Sequence, residues 1–437
     1  MKRKFLSILI VIMLAVSISA CSKNSDSTSG NDNIVTTVDT SSDVVIDKDS
    51  VDTFINFNNN SINVEGDGTT VDGSTVTINS GGTYCLQGTL DDGQVIVNSA
   101  DEENVYLLLA ETNITCSDNA PIYVVKAKNT ILTLAEGSVN YITDGTEYKL
   151  EDANSNEPNA AIYSKDDLTI NGKGSLIVNG NYNNGITSKD DLKITGGNIT
   201  VNATHDGIRG KDSVKIKDGT IIVNAKGDGI KANNSTDSEK GYVLMENGTV
   251  EITADEDGIQ AEGDGIDANG SVYIKDGVVI VNGPEDNGNG ALDYDGTFEI
   301  SGGTLIAAGS TGMAQSPSTT SSQGAINVML PSQTEDTIVS VQSESGNEIV
   351  TFKPSKKYQS VIVSTPDIKN GSKYIVSYGG STSSDNKDGL YTNGSYSGGT
   401  QLSSFTLSSN VMTVSKNGAS VGGNGMNGGG MPQGGRR

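Results

Sequence analysis

Gly185-Ile186-Thr187-Ser188-Lys189-Asp190-Asp191-Leu192-Lys193-Ile194 is followed by Gly207-Ile208-Arg209-Gly210-Lys211-Asp212-Ser213-Val214-Lys215-Ile216. Shorter copies come next, first Gly229-Ile230-Lys231-Ala232 and later Gly265-Ile266-Asp267-Ala268-Asn269-Gly270-Ser271-Val272-Tyr273-Ile274. The Gly-Ile pair recurs at positions 185, 207 and 229, and again at 258. That last step implies a seven-residue insertion, placed near Ser235–Gly241. Ala161-Ile162 and Ala291-Leu292 are looser copies at the two ends. Each copy carries three short alternating stretches, such as Asp191–Thr195, Asn198–Asn202 and Gly207–Gly210. A repeat of this length without helical periodicity marks a β-solenoid, in which no unit buries its apolar face until a neighbour stacks on it. There is no leucine-rich consensus, and a propeller blade needs a longer unit. The expected fold is all-β, a right-handed parallel β-helix with a small C-terminal β domain.

Composition agrees with thin stacked layers rather than one large core. The 437 residues include 54 glycines, no tryptophan and one histidine, and only 34% are hydrophobic. The formal net charge of −25 repels nucleic acid and anionic membrane surfaces and suits cation binding. At the N-terminus, Lys2, Arg3 and Lys4 precede an apolar run from Phe5 to Ile18, too short for a secure membrane span. Ile18-Ser19-Ala20-Cys21 has the form of a bacterial lipobox, so residues 1–20 read as a lipoprotein signal peptide and Cys21 as the lipidated residue. The expected location is the outer face of a bacterial membrane, held by a lipid anchor. Cys85 and Cys116 remain, either as one disulfide or as two buried thiols.

The polar segment 21–50 is expected to be a disordered tether. Residues 51–312 form the solenoid, with irregular capping coils over 61–150. Residues 313–415 read as a capping β domain, with strands at Ile326–Leu330, Thr337–Gln342, Ser360–Ser364 and Lys373–Tyr378. Such a cap covers a last coil that would otherwise invite edge-to-edge aggregation. Residues 416–437, rich in Gly and Asn, are expected to be a disordered tail.

The position before Gly-Ile reads Asn184, Asp206, Asp228, Asp257 and Asp264, with Asp255 nearby. Stacking brings such carboxylates into a vertical row, where like charges raise each other's pKa. A Ca²⁺ ion relieves that repulsion, since it takes six to eight oxygen ligands in flexible geometry. Oxygen ligands without Cys or clustered His argue against zinc, copper or iron. The plain alternative is an Asx-Gly turn, glycine supplying positive φ. Alternation along the following strand sends Ile186, Ile208, Ile230 and Ile266 inward, and Thr187, Arg209, Lys231, Gln260 and Asp267 outward. Arg209 is the sole arginine between the leader and Arg436, and His205 the sole histidine. Arg209, Lys211, Lys231 and Asp267 are therefore candidate ligand-binding residues, with guanidinium and ammonium groups suited to an anionic sugar.

These residues resemble a family of bacterial surface carbohydrate-binding β-helix proteins, calcium-containing and similar in fold to pectate lyases of polysaccharide lyase family nine. The resemblance spans about residues 55–380 and is carried by several motifs. They are Gly82-Thr83-Tyr84, Gly88-Thr89-Leu90-Asp91-Asp92-Gly93-Gln94, Asn140-Tyr141-Ile142-Thr143-Asp144-Gly145, Lys189-Asp190-Asp191-Leu192, Asp206-Gly207-Ile208-Arg209-Gly210-Lys211-Asp212 and Gly312-Met313-Ala314-Gln315. It implies binding of plant cell-wall polysaccharide, including acidic pectin-type sugars, rather than cleavage. The chain lacks the tryptophan platforms common among carbohydrate-binding modules, leaving Tyr163 and Tyr294 as candidate substitutes. Two other functions fit the residues. One is a calcium-dependent lyase acting on polygalacturonate, with Lys211, Lys231 or Arg209 as base; neighbouring carboxylates count against it by raising a lysine's pKa. The other is a structural surface spacer.

Overall fold

The computed structural model describes residues 37–422, save 41–42, 151, 153, 255–263, 286, 384 and 393. Apart from one 3-10 turn at Lys48–Ser50, every regular element among these residues is a β-strand. The strands stack in parallel, in register, on three faces. Sheet 1 includes Ala160–Ser164, Asn184–Ser188, Ile208–Gly210, Ile230–Ala232, Ile266–Ala268 and Leu292–Tyr294. Sheet 2 includes Leu168–Gly172, Asp191–Ile194, Ser213–Ile216, Tyr242–Met245, Val272–Ile274 and Phe298–Ile300. Sheet 3 includes Ser175–Gly180, Asn198–Ala203, Thr220–Ala225, Thr249–Ala254, Val278–Asn282 and Thr304–Gly309. The expected parallel β-helix is the fold observed.

The core is a set of apolar files. Ile162, Ile186, Ile208, Ile230, Ile266 and Leu292 stack on sheet 1, facing Leu192, Val214, Val243 and Val272 on sheet 2 and Val201, Val223, Ile252 and Val281 on sheet 3, all buried. Each fully buried aliphatic side chain contributes about 1.5–3 kcal/mol of transfer free energy. The glycine before each inward isoleucine has a steric cause different from the one expected. Gly185, Gly207, Gly229 and Gly265 do not have positive φ. A Cβ on Gly207 would overlap Val223 Cγ1 and lie 2.7 Å from the Gly229 carbonyl oxygen. Left-handed glycines sit instead at the corner between sheets 2 and 3, at Gly172, Gly197, Gly219, Gly248, Gly277 and Gly303.

Residues 61–150 are more regular than expected. Val76–Ile78, Val95–Val97 and Ile122–Val124 are already in parallel register on sheet 1. Gly82–Leu90 and Val105–Cys116 are long strands that bend across sheets 2 and 3, the first at left-handed Gly88 and the second at left-handed Glu111. Cys85 and Cys116 are both free and buried.

More than one insertion interrupts the repeat. The first lies between Ala232 and Tyr242, since Ser213 pairs with Tyr242. The second follows Ala254, because Ile230 pairs with Ile266. The coil expected at Gly258 is therefore supplied by Gly265. Asp255 and Asp257 lie outside the described residues, as do Gln260, the leader and Cys21.

Residues 37–40 and 43–50 form a strap along the outer face of sheet 2, where a disordered tether was expected. Val38 N–H donates to Glu246 at 2.9 Å, Lys217 Nζ to Thr40 at 3.2 Å, and Lys193 Nζ pairs with the buried Asp43 at 2.8 Å. Ile46 packs on Cys85, Leu108 and Ala110. At the other end Tyr358–Ser364 pairs antiparallel with the last coil strand, Thr304–Gly309, and with Ala325–Gln333. A six-stranded antiparallel sheet that includes Val339–Ser343 and Lys373–Tyr378 completes the cap. Regular pairing continues past residue 415, to Gly418–Val421.

Gly207→Ala tests the steric argument. It should lower unfolding free energy by about 2 kcal/mol or more, whereas alanine at the exposed Thr220 should change it by less than about 0.5 kcal/mol. Denaturant titration of both variants reads the difference.

Candidate functional site

Asn184, Asp206, Asp228 and Asp264 stand one above another at the turn from sheet 3 into sheet 1. Asn184 Oδ1 accepts the Asp206 N–H at 3.1 Å, and Asp206 Oδ1 accepts the Asp228 N–H at 3.2 Å. Asp228 Oδ1 then accepts the Asp264 N–H at 2.6 Å, and Asp264 Oδ1 the Gly290 N–H at 2.7 Å. The row is a hydrogen-bonded spine: each side chain caps the backbone of the next coil. This is why Asx recurs there. It also commits one oxygen of every carboxylate before any ligand arrives.

The second oxygens differ from coil to coil. Asp206 is fully buried; its Oδ2 has no hydrogen-bond partner among the described residues and lies 3.7 Å from the Arg209 guanidinium. His205 Nδ1 donates to Asp206 Oδ1 at 3.0 Å. Burial would raise the Asp206 pKa, but the His205 hydrogen bond and the charges of His205, Lys231 and Arg209 bring it below the ordinary value. His205 is raised in turn, chiefly by that hydrogen bond. Asp228 Oδ2 meets Lys231 Nζ, which also pairs with Asp267 at 2.7 Å. Burial opposes the Lys231 charge, yet Asp228, Asp267 and Asp206 raise its pKa overall. Asp264 has no cation partner among the described residues. Burial, with Asp228, Asp293 and Asp267 nearby, pushes its carboxyl up to about 7 against the Gly290 hydrogen bond.

On the outer face of sheet 1 the register aligns Tyr123, Tyr163, Thr187, Arg209, Lys231, Asp267 and Asp293 in one file. The outward positions of Thr187, Arg209, Lys231 and Asp267 are those expected. Lys211 is not in the file; it lies exposed in the turn after Gly210. Tyr163 is no platform, being buried with Ala120 and Ala160 beside Tyr123 and Tyr148. Tyr294 is half-buried, its hydroxyl donating to Ser316 O at 2.5 Å. Sequence reasoning missed a different aromatic pair: Tyr148 and Tyr182 stack with centroids 4.1 Å apart and planes 13° apart. Asp144 holds the Tyr148 hydroxyl at 2.7 Å. Tyr182 holds the place that Thr204 takes in the next copy, but Tyr148 lies outside the 22-residue pattern, so periodicity carried no signal of the pair.

The calcium expectation rests on oxygens free to converge. Among the described residues no three carboxylate, imidazole or thiol groups are grouped to hold a metal. Lys231 occupies the space between Asp228 and Asp267. What remains after the spine is Asp206 Oδ2, Asp264 Oδ2 and the outward carboxylates Asp267 and Asp293.

Fold and surface together define a β-helical protein that carries a file of charged side chains on the outer face of sheet 1. Residues 72–279 match the family described as carbohydrate-binding domain-containing protein. A protein of that description from Acetivibrio thermocellus is 47% identical over 148 residues, covering 34% of this chain and 52% of that protein. The matched region thus spans about half the length of this curated relative. The solved structure of a polysaccharide lyase-like protein from C. thermocellum, a gadolinium derivative, is 41% identical, with TM-score 0.53, over 57% of this chain and 97% of that one. The matched region is thus similar to carbohydrate-binding domain proteins, and the β-helix is similar in fold to that solved structure.

Asp264 gives a pH test in the presence of chelator. Its carboxyl holds a proton in the folded state up to about pH 7, while the unfolded chain releases it near pH 4. The folded state therefore binds more protons across that window, and stability should fall as pH rises from about 4 to about 7. Asp264→Asn keeps the spine, as Asn184 does, and should flatten that decline and stabilise the protein at pH 8 by on the order of 2 kcal/mol. Melting curves across pH measure it.

Proposed function

We propose that the chain is a non-catalytic polysaccharide-binding protein, displayed at the bacterial surface through a lipid on Cys21, and that it holds acidic, pectin-type chains in a calcium-dependent manner. The observation that carries this reading is the outward file on sheet 1. Arg209 and Lys231 are neighbours on stacked strands, their side chains 27% and 23% exposed. A guanidinium and an ammonium one coil apart, about 4.8 Å, present two carboxylate-binding groups along the direction a polymer would run. The homology to carbohydrate-binding proteins supports the general class.

Calcium belongs to the proposal because the charges of Asp228, Asp293 and Asp267 act on Asp264, whose carboxyl has no cation partner among the described residues. A divalent ion supplies the missing positive charge and can bridge to a sugar carboxylate.

The lyase alternative requires a base that gives up its proton near neutral pH. Lys231 is held by Asp228 and Asp267 with its pKa raised, the opposite of what proton abstraction needs.

Calorimetric titration of the full chain with polygalacturonate, in Ca²⁺ and in EDTA, tests the reading while absorbance follows unsaturated product. Calcium-dependent heat with flat absorbance is expected, and Arg209→Ala should weaken binding on the order of tenfold. Rising absorbance would establish a lyase. Absence of heat under both conditions would leave a surface spacer.

A further inference from the structure

The outer faces of the three sheets differ in charge. Sheet 1 turns Arg209, Lys231, Asp267 and Asp293 outward, and sheet 2 turns Lys193, Lys215 and Glu299 outward. Sheet 3 is different over its early coils. Strands Val139–Asp144, Ser175–Gly180, Asn198–Ala203 and Thr220–Ala225 each direct three side chains outward, and none of those is charged. Register sets Tyr141, Ile177, Thr200 and Ile222 in one central file across them. Tyr141 is 43% exposed and Val139, beside it, 39%. Apart from Val139, the positions flanking the file are serine, threonine and asparagine.

Coil stacking accounts for the inward isoleucines and asks nothing apolar of the outward positions. A contiguous apolar strip on an outer face marks a surface that meets another. The file also continues into a contact the chain already makes. Past Glu251 it runs to Ile280 and Ile306. These two are buried in one cluster with Ile326, Val328, Val361 and Val363 of the C-terminal domain. The charges of Asp388 and Lys387, from the same domain, still act on Glu251. One file is therefore covered on its last coils and exposed or half-buried on its earlier ones.

We infer that the early coils of sheet 3 are where two copies of this chain meet, face to face. A two-fold axis lays the same patch on both partners, so apolar file meets apolar file. The flanking hydroxyls and amides, donors and acceptors at once, pair across the contact. Two chains of net charge −25 repel each other, and this face brings no outward carboxylates into opposition. The coils from Asn113 to Ile222 span about 24 Å along the axis and about 20 Å across. That is on the order of 500 Å² per copy and 1,000 Å² in all, the size of a weak, reversible interface. The inference is independent of the polysaccharide reading on sheet 1.

The test is sedimentation equilibrium of the full chain carrying Cys21→Ser, which removes the lipidated cysteine, across about 1–500 µM. The mass should rise from 45.3 kDa toward twice that value, and association should tighten severalfold as salt screens the net charge. On that background Tyr141→Lys and Thr200→Lys, both outward, should weaken association on the order of tenfold. Val45→Lys, at an exposed apolar position on the strap, should leave it unchanged. Melting curves show that each variant is folded, and the mass without these lysine substitutions decides the matter even where a variant is not. A mass fixed at 45.3 kDa over the whole range overturns the inference. A dimer that forms equally well in both sheet 3 variants overturns it too, because the contact then lies elsewhere. A monomer retained on an insoluble neutral polysaccharide, with retention lost in Tyr141→Lys, would assign the face to a sugar surface and also overturn the dimer.

Discussion

In-register stacking at about 4.8 Å makes every side chain meet its own counterpart on the next coil, and each residue type answers that constraint differently. Isoleucine gains from it: Ile186, Ile208, Ile230 and Ile266 form a dry file with no polar atom to satisfy. Asparagine also gains, because an amide carries both donor and acceptor, as in the Asn179–Asn202–Asn224 ladder. Aspartate loses, since identical carboxylates repel. The spine resolves half of that loss by giving each Oδ1 a backbone N–H from the coil above. The remaining half is met locally by His205 and Arg209 at Asp206, and by Lys231 at Asp228. At Asp264 no described cation does so, and there the carboxyl rises to about 7.

This constraint also explains which parts of the molecule were legible in the sequence. A stacked file repeats its residue type, so the Gly-Ile copies exposed the repeat, the inward isoleucines and the outward Thr187, Arg209, Lys231 and Asp267. Where the chain leaves the stack, nothing repeats. Asp257-Gly258-Ile259 and Asp264-Gly265-Ile266 both carry the motif, and only three-dimensional pairing shows that Ile266 is the partner of Ile230. Tyr163 has an outward address, yet Tyr123, its register partner, and Tyr148, from the stretch between the coils, bury it. The strap was equally illegible. Its polar composition reads as tether, while its two anchors, Asp43 on Lys193 and Ile46 on Leu108, depend on partners far along the chain.

The glycines illustrate how one residue type serves two constraints. At the corner between sheets 2 and 3 the backbone needs left-handed φ, and Gly219 and Gly248 supply it at +126° and +97°. Before the inward isoleucines the need is space, because Val223 occupies the volume a Cβ on Gly207 would claim. Both sets recur once per coil. Sequence alone therefore shows that glycine is required, and the packing shows which property of glycine is used.

Coverage of the three sheets narrows where a polymer can lie. The strap occupies the outer face of sheet 2, from Glu246 back to Leu108. The C-terminal domain reaches the late coils of sheet 3, where Lys356 Nζ donates to Ala254 O at 2.6 Å and Ser355 N–H to Asn282 at 3.0 Å. Tyr123 and Tyr148 cover Tyr163 on the early coils of sheet 1. Sheet 1 and the earlier coils of sheet 3 meet at the turns that carry the aspartate spine, where Asp206 and Asp228 are buried and Arg209 and Lys231 stand beside them to balance their charge.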